Sequence, residues 1–275
     1  MTMQWIDTNN NHSKTVLACG LIFTIVALYM MPSVRELFGQ LDLVVAYAAN
    51  DLLKSHFTLA PIAALLNTRV GDVILIGILT AAFMIHALKG ENWEIRSQRV
   101  AYYLWVGAMC LGTYALVCLT EGHFPRPIPL VALPNLVDVR QYCPIHLHTD
   151  PNNSFPSGHA LAYCLFTIMY LRSQPKLALL VATLGSLMLT SRLMIGIHWL
   201  SDIIFGGLPL AILVAAMAWE TRLRMTLNWT EVFISDLVRI TTRRFPAHID
   251  ITKALPKVVT FHNRSSQHYN SKPVG

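Results

Sequence analysis

Two short stretches carry most of the polar chemistry of this chain: Phe155-Pro156-Ser157-Gly158-His159, and Ser191-Arg192 followed by His198 and Asp202. Each stretch pairs a histidine with groups that suit phosphate, and each borders a long apolar run. Ionisable side chains are costly near hydrocarbon unless they line a polar cavity or act there. The two stretches therefore predict a polar site at the edge of a helical fold that lies in a membrane.

The apolar runs around the two stretches set the fold class. Hydrophobic residues make up 54% of the 275 residues and charged residues only 13%, with a mean hydropathy of +0.47, whereas a soluble protein carries about a quarter charged residues. A transmembrane helix needs about 20 apolar residues. We expect an all-α integral membrane bundle of six transmembrane helices within residues 1–220. Its spans are predicted at Thr15–Met31, Asp72–Leu88, Val100–Leu119, Ser157–Leu171, Lys176–Met194 and Ser201–Trp219.

The placement of lysine and arginine predicts the orientation of the bundle. With the N-terminus inside, 15 of the 21 basic residues fall on the inner side and 6 on the outer side. We therefore expect a bacterial inner membrane protein with cytoplasmic N- and C-termini and with both histidine stretches facing the periplasm or exterior. The same bias accounts for most of the net charge of +6, so the partner is expected to be the lipid bilayer and not nucleic acid. The sequence indicates no oligomeric state.

Three segments lie outside the six spans. Leu37–Leu53 is apolar but is interrupted by Asp42, Asn50 and Asp51, which fits either a helix in the outer interface or an ordinary packing helix. The polar, proline-rich loop from Thr120 to Phe155 is expected to form a rim or lid of the site. Residues 221–275 are expected to form a basic cytoplasmic amphipathic helix and a mobile tail.

Cysteine and histidine spacing gives no sign of a structural metal or a disulfide framework. Four of the five cysteines fall within apolar segments, and Cys143 in the outer loop has no obvious partner. We therefore expect neither a metal nor another cofactor.

The first stretch is predicted to begin a helix, because the polar loop ends there and the fourth apolar run begins. Pro156 suits the first helical position, where its missing N–H costs nothing. The free N–H groups of the first turn and the positive end of the helix dipole then form an anion site. Gly158 would allow close approach of the anion, and the Ser157 hydroxyl would add a donor. His159 would stand where a leaving oxygen needs a proton.

The second stretch joins the fifth and sixth spans, with Gly196 in the turn. Arg192 can bind two phosphate oxygens at once. His198 and Asp202 are four residues apart, so on a helix they would share one face. A carboxylate that accepts the proton of one imidazole nitrogen leaves a lone pair on the other, which is the arrangement of a nucleophilic histidine.

Each of these features also has an ordinary explanation. A lone histidine in an apolar helix is more often a packed core residue, and His86 is interpreted that way. The pair of His198 and Asp202, taken alone, has about even odds of being structural. A chance match to the first pattern is on the order of one in a thousand for a chain of this length, and to the second roughly one in a hundred. Both patterns also fall on the same predicted membrane face, so the combination favours a functional site.

Together the two stretches resemble the signature of the type 2 phosphatidic acid phosphatase superfamily, which reads Lys-x6-Arg-Pro, Pro-Ser-Gly-His and Ser-Arg-x5-His-x3-Asp. The resemblance covers roughly residues 100–219 and implies a six-helix membrane bundle, catalysis without a metal, and a phosphohistidine intermediate. It implies that His198 is the nucleophile, Asp202 its orienting partner and His159 the general acid. It also implies a set of phosphate-binding residues: Arg126, Ser157, Gly158 and Arg192.

The first part of that signature is incomplete in this chain. Arg126-Pro127 is present, but Leu119 stands at the position of the lysine. Loss of one preorganised positive charge can cost a few kcal/mol of transition-state stabilisation, about 3 kcal/mol for a typical donor. The outer loop contains four side chains that could replace it: His123, Arg140, His146 and His148.

Within the superfamily, the stretch Leu66–Asp72 and the residues that follow Arg192 are similar to the lipid A 1-diphosphate synthases, which move phosphate from undecaprenyl diphosphate to lipid A. The expected function is therefore a membrane lipid phosphatase or phosphotransferase, with a lipid phosphate or diphosphate as substrate and undecaprenyl diphosphate as one donor. The alternatives are transfer to a lipid acceptor such as lipid A, and a catalytically silent phospholipid-binding protein. A vanadate-dependent haloperoxidase shares the anion pocket, but six spans without a soluble helical body disfavour it.

Overall fold

Most of the chain that the structure describes is helical. The computed structural model describes residues 11–56, 58–120, 125–141, 150–171, 173–218, 227, 230–234 and 236–237. Within these ranges the extended backbone forms an isolated bridge between Arg126 and Asn153 and no strand, so the predicted all-α class is confirmed. The helices are α1 (Asn11–Met30), α2 (Pro32–Ser55), α3 (Leu59–Leu66), α4 (Arg69–Leu88), α5 (Trp93–Thr120), α6 (Pro129–Ala132), α7 (Gly158–Leu171), α8 (Pro175–Met194) and α9 (Leu208–Ala218), with a 3₁₀ turn at Val139–Gln141 and a π-helical segment at Asp202–Gly207 that leads into α9.

Several of these helices have the length and composition of membrane spans. In the described part of the chain, α4, α5 and α8 are each long and apolar enough to cross a bilayer. A further span is formed if α1 and α2, which are bent by 82° at their junction, make one broken span; Pro32 begins α2 at this bend. α7 and the segment Asp202–Ala218 are apolar but shorter. The chain is a multi-pass membrane protein, while the count of six spans stays a prediction.

One face of α2 packs against α8. Asp42, Ala46, Asn50 and Leu53 are all buried on this face at helical spacing. The Asn50 side chain donates a hydrogen bond to the carbonyl oxygen of Met194 at 2.9 Å, at the end of α8. Of the polar residues that interrupt its apolar sequence, Asp42 and Asn50 face the protein, whereas Asp51 is exposed. The segment is therefore a helix that packs against α8, and its placement in the outer interface stays a prediction.

α7 lies between α8 and α9 at the centre of the fold. Leu161, Leu165 and Met169 of α7 are buried in the main hydrophobic core. Residues 200–218 form one helical segment that contains the π-helical segment and α9, and it is called the last helix below. Its approach to α7 requires glycine at Gly207, because a Cβ there would lie 2.8 Å from the Ser157 carbonyl oxygen and 2.8 Å from the Leu161 nitrogen. Gly207 therefore sets the distance between the two helices that begin at the histidine stretches.

A methyl group at Gly207 is expected to push the last helix away from α7. Overpacking of this kind costs about 1–3 kcal/mol, so Gly207→Ala should unfold at a lower temperature in detergent than the unchanged protein. Gly112→Ala on α5 is the matched control, because a Cβ there meets nothing within 4 Å and alanine is the better helix former, so the melting temperature should not fall. Equal melting temperatures for the two variants would contradict the packing argument.

Candidate active site

The first histidine stretch caps the N-terminus of α7. The helix begins at Gly158, and the Oγ of Ser157 accepts a hydrogen bond from the Ala160 N–H at 3.3 Å, as an N-cap serine does. The prediction that Pro156 occupies the first helical position was wrong, because the serine cap starts the helix two residues later. Helix geometry leaves the N–H groups of Gly158 and His159 without an acceptor inside the helix, and such groups bind anions.

Gly158 has a packing reason besides the expected approach of an anion. A Cβ at this position would lie 2.7 Å from Cε2 of Tyr114 on α5. Ser157 is completely buried, and its N–H points to the carbonyl oxygen of Asp202 at 3.5 Å. The start of α7 is therefore in contact both with α5 and with the start of the last helix.

The end of α8 fixes the spacing of the second histidine stretch. Gly196 has a φ of +71°, the left-handed conformation in which glycine is favoured. Its N–H donates to the Leu193 carbonyl at 3.1 Å, and the Ile197 N–H donates to the Arg192 carbonyl at 3.0 Å. These two bonds form a Schellman motif. Arg192 thus lies in the last turn of α8, and His198 follows the motif directly.

His198 is buried, and its Nδ1 lies 2.7 Å from the backbone carbonyl oxygen of Ser154. A carbonyl oxygen can only accept, so this contact places the hydrogen on Nδ1 and leaves a lone pair on Nε2. Asp202 Oδ2 is 3.7 Å from Nδ1, which is too long for a hydrogen bond. The structure thus holds the ring with the Ser154 carbonyl where the sequence argument expected the Asp202 carboxylate.

Asp202 does not accept the His198 hydrogen because His198 lies before the helix and not on it. The last helix begins at Leu200, so His198 and Asp202 do not stack on one helical face as predicted. Asp202 Oδ2 accepts a hydrogen bond from the Trp199 N–H at 2.7 Å, which satisfies the first N–H of the helix in the manner of a capping box. Asp202 is fully buried, and its second oxygen contacts Arg126 at 2.5 Å.

Arg126 is held between two buried carboxylates. Its Nη1 donates to Asp202 and to the Ser201 Oγ (2.8 Å), and its Nη2 donates to Asp42 at 2.8 Å. Asp42, on α2, also accepts from the Ser201 N–H at 2.9 Å. The guanidinium lies 5.3 Å above the ring of Trp199, a cation–π contact. These donors of Arg126, expected to bind phosphate, are thus engaged in an ion-pair network that joins α2 to the last helix.

Arg192 keeps donors for an anion. It is only 5% exposed, and its Nε has no hydrogen-bond partner among the described residues. Its Nη2 lies 2.9 Å from Nε2 of His159. A buried N–H without an acceptor is costly, and a phosphate oxygen would supply the acceptor.

A carboxylate that the sequence argument did not include lies beside this pair. Asp72, in the first turn of α4, places its Oδ1 3.1 Å from the His159 Nε2 and 3.9 Å from the Arg192 Nη2. The described site therefore has two centres, one around His198 and one around His159. The two rings are close enough to interact electrostatically.

The structure describes one of the four side chains proposed to replace the missing lysine. Arg140 donates from Nε and Nη2 to the carboxylate of Asp138 at 2.7 to 3.0 Å, and these bonds hold the pKa of Asp138 below its ordinary value. Arg140 is thus paired with Asp138 and not with the groups of the site. The other three, His123, His146 and His148, lie outside the described residues. Among the described residues, no three His, Cys, Asp or Glu side chains are grouped so that they could hold a metal ion.

Comparison with known proteins finds a similarity to one superfamily. Residues 102–226 match the model of the PAP2 superfamily. This region of the chain is therefore similar to the PAP2 superfamily. A solved PAP2 structure, the first transmembrane PAP2 type phosphatidylglycerolphosphate phosphatase from Bacillus subtilis, is 18% identical over 74% of this chain and 93% of that chain, with a TM-score of 0.43. No curated protein matches the chain. The match over residues 102–226 supports lipid phosphatase activity in this multi-pass membrane protein.

Three residues of this site were given no role by sequence reasoning. Asp42 was noted only as an interruption of an apolar helix, although its eight-residue spacing from Asn50 is a signal for a shared polar face. Asp72 ends the stretch that resembles the lipid A 1-diphosphate synthases, and its position as an acidic residue at the start of an apolar span was a signal for a functional role. Ser154 acts through its backbone carbonyl, which leaves no side-chain signal in the sequence.

Removal of Asp42 tests whether the Arg126 network holds the site together. Asp42→Ala leaves Arg126 and the Ser201 N–H short of an acceptor, and breaking a buried ion pair costs about 3–5 kcal/mol. Because 27% of the Arg126 side chain is exposed, we expect a loss at the lower end, at least about 2 kcal/mol in detergent unfolding.

Asp51→Ala is the control on the same helix. Asp51 is exposed and pairs with Lys54 at 2.8 Å, and surface pairs contribute only about 0–1 kcal/mol. If Asp42→Ala were no more destabilising than Asp51→Ala, the network would not be a determinant of stability.

Proposed function

We propose that this chain is a membrane lipid phosphatase or phosphotransferase that takes phosphate from a lipid phosphate or diphosphate through a phosphohistidine at His198. The observation that carries the proposal is the hydrogen bond from His198 Nδ1 to the Ser154 carbonyl, because it leaves the Nε2 lone pair that a nucleophile needs. Arg192, with its unpaired Nε, supplies a phosphate ligand. The proposed reaction uses no metal or other cofactor.

In the first half-reaction, Nε2 of His198 attacks phosphorus while the bond from phosphorus to the lipid oxygen breaks. His159 gives its proton to that oxygen. Arg192 and the first N–H groups of α7 bind the nonbridging oxygens. Asp202, 3.7 Å from Nδ1, stabilises the positive charge that develops on the ring of His198. Arg126 holds Asp202 in place. We keep its predicted direct contact with phosphate as a second role.

In the second half-reaction, the bond from phosphorus to His198 breaks. Water or the acceptor group of a second lipid attacks phosphorus and gives up its proton to His159 as it does so. Hydrolysis then releases inorganic phosphate, and transfer yields a phosphorylated lipid. We propose undecaprenyl diphosphate as donor and lipid A as acceptor, on the basis of the likeness of Leu66–Asp72 to the lipid A 1-diphosphate synthases. Asp72 places that stretch beside His159.

A catalytically silent phospholipid-binding protein is the second candidate. Leu119 in place of the lysine and the engagement of Arg126 by two carboxylates both favour it, since each reduces the positive charge available to a transition state. Binding alone, however, would not require a buried histidine with an oriented lone pair.

We also propose that the protein lies in a bacterial inner membrane with both termini in the cytoplasm and the site facing the periplasm. The asymmetric placement of lysine and arginine supports this orientation. Reporter fusions to the C-terminus test it: a reporter active only in the cytoplasm should be active, and a periplasmic one inactive.

The function is tested with purified protein in detergent and undecaprenyl diphosphate labelled in its terminal phosphate, with and without lipid A. We expect label on His198 in a rapid quench, followed by free phosphate or labelled lipid A. His198→Ala should reduce turnover at least ~10³-fold. His86→Ala is the control and should retain turnover, because His86 is in the last turn of α4, roughly 20 Å along the helix from Asp72.

The outcomes separate the candidates. Free phosphate indicates hydrolysis, and label on lipid A indicates transfer. If neither product forms, and both the wild type and His198→Ala retain bound lipid, the silent-binder proposal replaces the enzyme. If label transfers without dependence on His198, the phosphohistidine proposal is wrong.

A further inference from the structure

We propose that Asp72 is a positioning residue for the proton transfer: it holds His159 as the doubly protonated imidazolium once phosphate has engaged Arg192. The proposal rests on the proposed function, in which His159 protonates the leaving oxygen. It adds a residue from α4 that lies outside the three signature motifs.

The geometry around His159 presents a conflict that substrate would resolve. The same ring nitrogen, Nε2, lies 3.1 Å from Asp72 Oδ1 and 2.9 Å from Arg192 Nη2. One nitrogen carries either a hydrogen or a lone pair, so it cannot donate to Asp72 and accept from Arg192 at the same time. Asp72 requires a hydrogen on Nε2, and Arg192 requires a lone pair.

Phosphate binding would decide this competition in favour of Asp72. Arg192 has a buried Nε without a partner, so its guanidinium gains a hydrogen bond when it binds a phosphate oxygen. We expect it to leave the Nε2 of His159 in doing so. The Nε2 of His159 is then left with Asp72 alone as its close polar neighbour among the described contacts. A carboxylate at that distance favours the protonated ring.

The protonated ring is the form that the reaction needs. An imidazolium carries a hydrogen on both nitrogens, so it can donate to Asp72 and to a leaving oxygen at once. A neutral ring has one N–H hydrogen, so it can donate to Asp72 or to the leaving oxygen but not to both. After the proton passes to the leaving oxygen, His159 is neutral and is ready to accept a proton from water or the acceptor lipid.

The junction of α3 and α4 holds Asp72 in position. The Thr68 Oγ1 accepts a hydrogen bond from the Gly71 N–H at 3.0 Å and caps α4, and a Cβ at Gly71 would lie 2.9 Å from the Leu66 Cα. Asn67 donates to Ser191 Oγ at 3.0 Å, which ties the junction to the residue before Arg192. The stretch Leu66–Asp72 therefore holds the carboxylate through these three constraints, and the contact of Asn67 with Ser191 connects the stretch to α8.

Other charged and titratable groups face His159 besides Asp72. Arg192 approaches from α8, and His198 acts from the start of the last helix. Tyr163 on α7 and Tyr114 on α5 interact electrostatically with Arg192. Of these groups, Asp72 is the carboxylate in contact with the ring, so it is the group that favours the protonated form of His159.

The test measures the pH dependence of kcat and KM for wild type, Asp72→Asn and the control Asp51→Asn, with the lipid substrate that wild type turns over. In Asp72→Asn we expect kcat to fall about 10- to 100-fold, within the range for general acid catalysis, and KM to change by less than about threefold. The alkaline limb of the profile should move to lower pH, because the imidazolium is then lost more easily. Asp51→Asn, on an exposed residue of α2, should match wild type.

A purely structural role would give a different result: kcat would fall equally at every pH, or thermal stability would fall with it. An unchanged profile for Asp72→Asn would also overturn the proposal. If wild type turns over no lipid, the proposed function fails, and the Asp72 proposal is decided separately by side-chain ¹⁵N NMR of His159 with inorganic phosphate added. His159 should then stay protonated to higher pH in wild type than in Asp72→Asn, and identical titrations would contradict the proposal.

Discussion

The pairing of Arg126 with Asp42 and Asp202 is the constraint on which the site depends. Two carboxylates, 3% and 0% exposed, share one guanidinium, and an unpaired carboxylate at such positions would cost several kcal/mol, about 3–5 by analogy with broken buried pairs. The pairing fixes α2 against the start of the last helix. His198 precedes that helix by two residues, so the position of its ring follows from the same contacts.

This constraint explains why Arg126 of the first motif is present although Leu119 replaces the lysine. In a site that needed Arg126 only to bind phosphate, loss of the neighbouring lysine would weaken the case for keeping the arginine. Here Arg126 is also the counter-charge of two buried carboxylates and the cation above Trp199. The arginine therefore has a structural reason to be present whatever stands at residue 119.

The parts of the site that the sequence predicts are those encoded within a few residues. The start of a helix close to Pro156 and the turn at Gly196 both follow from local rules, although Ser157 caps the helix and Pro156 does not begin it. The apolar runs indicate the helices. The contacts that complete the site come from far along the chain: Asp42 reaches Ser201 across 159 positions, and Asp72 reaches His159 across 87. The acceptor for His198 is a backbone carbonyl, which any residue type provides. Local patterns contain no information on such partners, and they led to the wrong acceptor for His198.

The charge balance of the site determines which groups can stabilise a bound phosphate. Arg126 is compensated by two carboxylates, and Arg192 lies 3.9 Å from Asp72, so these five side chains leave no net positive charge to meet a phosphate. Stabilisation then has to come from oriented donors, namely the N–H groups at the start of α7 and the unpaired Nε of Arg192. The further positive charge would enter with the proton on His159. Since that proton is also the one that the leaving oxygen requires, a site of this composition couples phosphate binding to the supply of the acid, which a permanently charged lysine would not do.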